Sequence, residues 1–194
     1  MTKSHIFSGI ARLLHWTIAA MILAMLFIGI GMVSSQDLYH TLLSIHRPLG
    51  IAILLLAAVR LIYRLFNPPP ALPQAMPRWL KLLADLSHIA LYAFMFAVPL
   101  VGWAMLSAGG YPIVLYGGLR LPAVLPLDLP LYAALRTTHT ALAMLLLLTF
   151  LAHLGAALLH ALVFRDGVFQ SMATLRSRRT TPSSTDGATQ LERR

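Results

Sequence analysis

The sequence predicts an all-α integral membrane protein, a bundle of four transmembrane helices. Hydrophobic residues make up 58% of the 194 residues and charged residues only 11%, which is too apolar for a soluble domain. Four apolar stretches are each long enough to cross about 30 Å of hydrocarbon as a helix. The net charge is +9, but the basic residues collect at the ends of these stretches and in the C-terminal tail. The charge is therefore a topology signal and does not indicate a nucleic-acid partner.

The first two spans are predicted at Leu13 to Val33 and at His46 to Phe66. Pro48 is expected in the first turn of the second span, where proline is tolerated. Arg60 and Arg64 lie near the far end of that span, where long cationic side chains reach the membrane interface. Both spans are expected to contact membrane lipid.

The third and fourth spans are predicted at Leu86 to Leu106 and at Thr137 to Phe164. Pro99 is expected to kink the third span, because proline removes one backbone hydrogen bond. The connection from Ser107 to Arg136 is apolar, but glycine and proline interrupt it repeatedly. It is therefore predicted to be a cap over the protein and not a fifth span.

The chain divides into a short N-terminal segment, 1–12, a membrane domain, 13–166, and a basic tail, 167–194. The tail has little apolar surface to bury and is predicted to be disordered. If four helices alternate in direction, most basic residues fall on one side of the membrane. By the positive-inside rule, both termini are predicted to be cytoplasmic in a multi-pass membrane protein.

Four histidines are predicted to form two facing pairs within the membrane. His139 and His153 lie 14 residues apart, so on one helix they share nearly one face and are separated by about 21 Å. His46 is expected at the depth of His139, near the outer face, and His15 at the depth of His153, near the cytoplasmic face. Paired imidazoles on facing helices suit a metal cofactor in a bundle core, and these pairs best fit two haems.

Other residues bear on this interpretation. There is no cysteine, which excludes iron–sulfur clusters and covalent haem attachment, so the haems would be of b type. Gly50, one turn from His46, permits the close approach of a bulky planar ligand, although small residues also serve ordinary helix packing. A histidine-lined zinc or proton transporter is the competing interpretation. A zinc pathway would normally add carboxylates within the membrane, and the first, second and fourth spans contain none.

Several motifs resemble those of the bacterial cytochrome b561 family. They are Arg12-Leu-Leu-His15-Trp16 at the start of the first span, His46-Arg-Pro-Leu-Gly50 and Arg60-Leu-Ile-Tyr-Arg64 in the second, and Ser87-His88-Ile-Ala-Leu-Tyr92 in the third. The fourth span adds His139, His153 and His160. The resemblance extends from about Arg12 to Met172, which is essentially the whole membrane domain.

The resemblance implies a di-haem cytochrome that passes electrons between the outer face and membrane quinone, with ubiquinone the expected substrate. By motif matching, His15, His46, His139 and His153 fall on the axial haem ligands of the family. Some members resemble a superoxide oxidase that reduces ubiquinone, so superoxide is the leading electron donor. In other members the cytochrome is a subunit of a larger oxidoreductase, and this chain would then be an anchor that connects a periplasmic or membrane redox partner to quinone.

Four further residues are candidates for binding roles. His88 and His160 fall toward the cytoplasmic ends of their helices, where they could hydrogen-bond a quinone carbonyl or a haem propionate. Arg60 and Arg64 could pair with propionates, because a guanidinium matches the fork of a carboxylate. Each of these residues could instead meet only solvent or lipid headgroups at the membrane edge.

Overall fold

A computed structural model describes residues 7–74, 76–115 and 118–173 as a helical protein. Four long helices account for most of this part of the chain, and each is long and apolar enough to cross a membrane. They are α1 (Gly9–Ser34), α2 (Gln36–Phe66), α3 (Arg78–Ala108) and α4 (Leu129–Leu159). A π-helical turn, His160–Phe164, continues α4, and a short helix α5 follows at Val168–Ala173. The predicted four-helix membrane fold is confirmed.

Polar side chains cap the starts of α1, α2 and α4. The Ser8 hydroxyl accepts a hydrogen bond from the Ala11 amide at the start of α1, and an Asp128 carboxylate oxygen accepts one from the Leu131 amide at the start of α4. Ser35 is the single residue between α1 and α2; its extended backbone ends one helix and its hydroxyl caps the next. These side chains satisfy amide groups that have no partner within the helix. The one-residue link makes α1 and α2 a tight antiparallel pair.

Two predictions about helix ends were wrong. Helix α2 begins at Gln36, ten residues before His46, so His46 lies well inside the helix and does not open it. For the same reason Pro48 lies in the helix interior and not in the first turn. Hydropathy marks only the part of a helix that lies in hydrocarbon, whereas the Ser35 cap and Asp37 in the first turn allow α2 to extend beyond it.

The fourth helix also begins earlier than expected, at Leu129 and not near Thr137. The connection between α3 and α4 is therefore 109–128, and it folds over the end of the bundle. The Ser107 hydroxyl accepts a hydrogen bond from the Val124 amide, and the Trp103 indole donates one to the Pro122 carbonyl. The predicted cap is confirmed, and among the described residues the connection contains no membrane-spanning helix.

The predicted tail boundary at residue 167 falls before a short helix. Helix α5 turns back toward α1, where the Trp16 indole donates to the Met172 carbonyl at 3.1 Å and the Phe7 amide donates to the Ser171 carbonyl at 3.3 Å. Arg165, in the left-handed conformation, and Gly167, with φ of 83°, make the reversal possible. The remainder of the tail, 174–194, lies outside the described residues, so its predicted disorder stays a prediction.

The core of the bundle is small and consists of aliphatic and sulfur-containing side chains from α1, α2 and α3. The buried members are Ile18, Ile22, Ile53, Ala57 and Met95. Many large apolar side chains on the outside of the helices are exposed, for example Leu148 at 62% and Leu55 at 62%. Such a surface is unfavourable in water and favourable against lipid tails, which agrees with a multi-pass membrane protein.

The bundle has two chemically different ends. At the first, here called the basic end, lie the starts of α1 and α3, the ends of α2 and α4, and helix α5. At the second, here called the loop end, lie Ser35 and the 109–128 connection. The basic end carries Arg12, Arg60, Arg64, Arg78, Lys81 and Arg165; the loop end carries Arg47, Arg120 and Arg136.

Candidate functional site

The structure brings the four predicted ligand histidines together as two pairs, one toward each end of the bundle. At the loop end the ring centres of His46 on α2 and His139 on α4 are 6.2 Å apart. At the basic end those of His15 on α1 and His153 on α4 are 6.4 Å apart. Helix α4 therefore contributes one histidine to each pair, as its 14-residue spacing predicts.

The spacing within each pair suits two imidazoles on opposite sides of one metal ion. Metal–imidazole bonds of about 2.0–2.1 Å place such rings roughly 6 Å apart, centre to centre. Among the described residues, no group of three or more histidine or carboxylate side chains is arranged to hold a metal ion. Two protein ligands are too few for a structural zinc site but suffice where a porphyrin supplies the other donors. The residues present thus fit a haem at each pair.

A backbone carbonyl on α3 orients His139. The Nδ1 atom of His139 lies 3.1 Å from the Val98 carbonyl oxygen, so this nitrogen carries the proton and donates to the oxygen. The hydrogen bond leaves Nε2 as the lone-pair nitrogen, which is the tautomer a metal ligand needs. In contrast, the buried Nδ1 of His46 has no hydrogen-bond partner in the described protein. The loop-end pair therefore combines one oriented imidazole with one that has an unsatisfied nitrogen.

Gly102 makes the close approach of His139 possible. A β-carbon at residue 102 would lie 3.1 Å from Cε1 and 3.3 Å from Nδ1 of His139, closer than most real side-chain contacts. The β-carbon of any larger residue would thus press on the imidazole that Val98 holds. The sequence analysis missed Val98 and Gly102. Gly102 lies 14 residues after His88 on α3. The same interval separates His139 and His153 on the antiparallel α4, and this match could have identified Gly102 from the sequence.

Gly50 has a different environment from Gly102. A β-carbon at Gly50 would meet only the Met25 methyl group, at an ordinary 3.7 Å. Gly50 therefore lies at the contact between α2 and α1, and the described protein places no histidine ring against it. Its predicted role in admitting a planar ligand stays a prediction.

His88 belongs with the basic-end pair. Its ring centre lies 5.4 Å from that of His153, nearer than His15 is to His153. His160 lies elsewhere, in the π-helical turn, where its Nδ1 is 2.7 Å from an Asp166 carboxylate oxygen. No contact within the described part of the chain joins His88 to His160, although both lie at the basic end. The sequence analysis did not identify Asp166 as the partner of His160.

Arg60 ties three helices together beside the basic-end pair. It donates from Nε to the Tyr92 hydroxyl on α3 at 3.1 Å and from Nη1 to the Ala11 carbonyl on α1 at 3.0 Å. The Arg64 guanidinium lies over the same tyrosine ring, 5.9 Å from its centre. Two nitrogens of Arg60 are thus already used by the protein. Its predicted contact with a haem propionate would depend on the N–H groups that remain, one on Nη1 and both on Nη2.

Comparison with known proteins identifies the family. The sequence profile described as prokaryotic cytochrome b561 matches residues 6–175, which include both histidine pairs. The chain belongs to the prokaryotic cytochrome b561 family. Membership of this family implies binding of b-type haem and a role in membrane electron transfer, and the four apolar helices fit a multi-pass protein of the bacterial inner membrane.

Three relatives illustrate the range of this cytochrome b561 family. Cytochrome b561 homolog 2 of Escherichia coli (strain K12) is 32% identical over 120 residues, 60% of this chain and 63% of the relative. A Yersinia pestis protein named probable superoxide oxidase CybB is 33% identical over 129 residues, 66% of this chain and 72% of the relative. Cytochrome b561 homolog 1 of Escherichia coli (strain K12) is 27% identical over 175 residues, 86% of this chain and 96% of the relative. The match to the first of these relatives spans less than two thirds of its length.

Proposed function

We propose that this cytochrome b561 holds two b-type haems and carries electrons across the membrane from a donor at its outer face to ubiquinone. The observation that carries the proposal is the pair of depth-matched histidine pairs, spaced at 6.2 and 6.4 Å and joined by α4. When bound, a haem with two imidazole ligands supplies a reversible one-electron couple with no vacant coordination position. His46 and His139 would be the two imidazole ligands of one haem, and His15 and His153 would be those of the other.

The protein orients one of these ligands by a hydrogen bond and links the helices that carry the others. His139 is fixed by the Val98 carbonyl, and the α1 and α2 helices that carry His15 and His46 are joined by a one-residue link at Ser35. At the basic end, Arg60 fixes the distance between α1, α2 and α3 through Ala11 and Tyr92. A rigid ligand set keeps reorganisation small when the charge of a site changes, which suits electron transfer better than oxygen activation.

The distribution of basic residues supports one orientation in the membrane. The basic end has six described arginine or lysine side chains and the loop end three, which by the positive-inside rule favours a cytoplasmic basic end. The loop-end histidine pair would then be the site of electron entry, and the basic-end pair the site of exit.

Superoxide is the leading donor, and the name of the Yersinia pestis relative supports this choice. Arg47, beside the ligand His46, and Arg136, three residues before His139, would raise the local potential and attract an anion. The test is rapid mixing of the oxidised protein with superoxide at several ionic strengths. Haem reduction at a rate that falls with added salt supports direct oxidation of the anion. No reduction at any ionic strength would contradict it.

Quinone reduction is assigned to the basic end, where His88 and the His160–Asp166 pair lie. Quinone takes up protons as well as electrons when it is reduced, and a histidine hydrogen-bonded to a carboxylate can hold and pass a proton. This pairing supports the protonated form of His160 as a hydrogen-bond donor to a quinone through Nε2, with Asp166 as the partner of Nδ1.

An anchor subunit is the second candidate, and a specific observation favours it. The 109–128 connection exposes large apolar side chains beyond the end of the bundle, including Leu119 at 62% and Leu127 at 71%. Such a surface could bind a redox partner. Absence of haem reduction by superoxide, with reduction by a membrane or periplasmic extract, would favour this function. A metal or proton transporter is not proposed, because the chain belongs to an electron-transfer family.

A further inference from the structure

Arg12 is a buried cation with two guanidinium nitrogens that have no partner in the described part of the chain. The residue is only 9% exposed, and its Nε and Nη1 atoms make no hydrogen bond within the described protein. Burying a charged group without a counter-charge is costly. Arg60, the neighbouring arginine on α2, shows the contrast, because its Nε and Nη1 atoms are both hydrogen-bonded. Arg12 therefore has donors available for a group that the protein does not itself supply.

The position of Arg12 directs it to the interior of the bundle. It lies three residues before His15, one turn nearer the basic end and on the same side of α1. The other buried residues of α1 are Ile18 and Ile22, which belong to the core. A side chain buried on this face within the protein does not contact the lipid that surrounds the bundle. The missing partner is thus an anion inside the bundle, close to the basic-end histidine pair.

The described protein offers no carboxylate for this role. Among the described residues, Asp37 and Asp128 lie at the loop end and Asp166 is held by His160. Asp85 is exposed on α3 and, in the described part of the chain, forms no ion pair with any arginine. The anion must come from outside the described protein. A carboxylate suits a guanidinium best, because two N–H groups can meet its two oxygens.

We propose that Arg12 binds a propionate carboxylate of the haem held by His15 and His153, and is a positioning residue of that site. The inference rests on the proposed di-haem function. A guanidinium at this position keeps the propionate ionised and neutralises its charge. Without it, the uncompensated carboxylate would favour the oxidised haem, or would take up a proton as the pH falls. The basic-end reduction potential would then become lower and pH-dependent.

The experiment is an equilibrium redox titration of the haem-loaded full chain in lipid-free detergent, followed by absorbance at several pH values. The variants are Arg12→Gln, Arg12→Lys and the control Arg78→Gln, which removes an exposed arginine from the same end. The His139→Ala protein, which would keep only the basic-end haem, assigns the two waves. For Arg12→Gln we expect the midpoint potential of one wave to fall by about 59 mV or more, which is a tenfold change in favour of the oxidised form for a one-electron couple. The fall should be larger at high pH. The other wave, and both waves of the control, should not move, and Arg12→Lys should retain most of the wild-type potential.

Several outcomes decide the matter. Identical titrations of Arg12→Gln and the wild type at every pH, with two haems in each, would overturn the inference and leave the proposed function intact. Selective loss of the basic-end haem in Arg12→Gln but not in Arg12→Lys would support it. Loss of both haems from both variants would show that Arg12 stabilises the fold and would overturn it. So would a shift that appears only in nanodiscs of phosphatidylglycerol, since the partner would then be a lipid phosphate. A wild-type protein without haem would instead contradict the proposed function itself.

Discussion

Val98 and Gly102 determine where the His139 imidazole lies. The carbonyl of Val98 accepts its Nδ1 proton, and the missing side chain of Gly102 leaves room for the ring. Neither residue is a predicted haem ligand, yet each constrains the orientation of the predicted ligand His139. Partners of metal ligands commonly set the tautomer and the orientation of an imidazole in this way.

The first prediction concerns Gly102→Ala. The new β-carbon would lie 3.1 Å from the His139 ring, which must move by a few tenths of an ångström. We expect the ferric low-spin EPR signal of the loop-end haem to shift while the basic-end signal stays the same. Gly29→Ala is the matched control, because a β-carbon there meets no atom within 4 Å. Unchanged spectra for both variants would show that His139 is not confined by α3.

The second prediction concerns the ligands themselves. Either His46→Ala or His139→Ala should remove the loop-end haem and leave the basic-end haem, because each pair binds its haem separately. A pyridine haemochrome assay should then give one haem per chain. Loss of both haems from either variant, in a protein that still inserts in the membrane, would contradict two independent sites.

At the scale of single elements, the helix interiors could be predicted from the sequence but several helix ends could not. Runs such as Leu13 to Val33 are apolar because they cross hydrocarbon, and hydropathy detects that environment. The first ten residues of α2 are mostly polar or interfacial, and only the Ser35 cap indicates that they are helical. His46 was thus correctly expected near His139 although its place within the helix was wrong. The depth of a residue in the bundle can be inferred from the apolar stretches, whereas the ends of a helix are set by its capping residues.

The site could be predicted in part for a similar reason. The ligand pairs follow from spacing along α4, but the contacts that orient them require the packing of α3 against α4. His139 was identified from its position, whereas the Val98 carbonyl is a backbone atom that no residue type reveals. The sequence likewise does not show that Nε and Nη1 of Arg12 lack hydrogen-bond partners in the described protein, because this depends on burial and on contacts between helices.

The third prediction belongs to the π-helical turn and to α3. Substituting His88 and His160 together with leucine should slow reoxidation of the reduced haems by ubiquinone without loss of either haem, because hydrogen-bond donors to the quinone are removed. His40→Leu is a control on the α2 segment at the loop end. Stopped-flow absorbance measures the rate. Reoxidation as fast as in the wild type would place the quinone site elsewhere.

The whole molecule is organised by the difference between its two ends. Most of the described basic side chains lie at one end, and the α3–α4 connection folds over the other. Helix α5 returns to α1 at the basic end through Trp16 and Met172. If the basic end is cytoplasmic, electrons would enter beneath the connection and leave near α5.

The fourth prediction is that both termini are cytoplasmic. A reporter fused after Arg194 should be active in the cytoplasm, and one inserted at Gly118, within the 109–128 connection, should report the periplasm. The excess of described basic residues at the basic end favours this arrangement by the positive-inside rule. A periplasmic signal from the C-terminal fusion would invert the assignment of entry and exit sites.

The proposed function requires two b-type haems per chain, one at each histidine pair. A haem count on the purified protein, combined with a reduced-minus-oxidised absorption spectrum, measures this number. We expect two haems per chain and the sharp reduced bands of a six-coordinate b-type cytochrome, with no additional band on exposure to carbon monoxide because no coordination position is vacant. One haem per chain, or a spectrum that carbon monoxide changes, would contradict it.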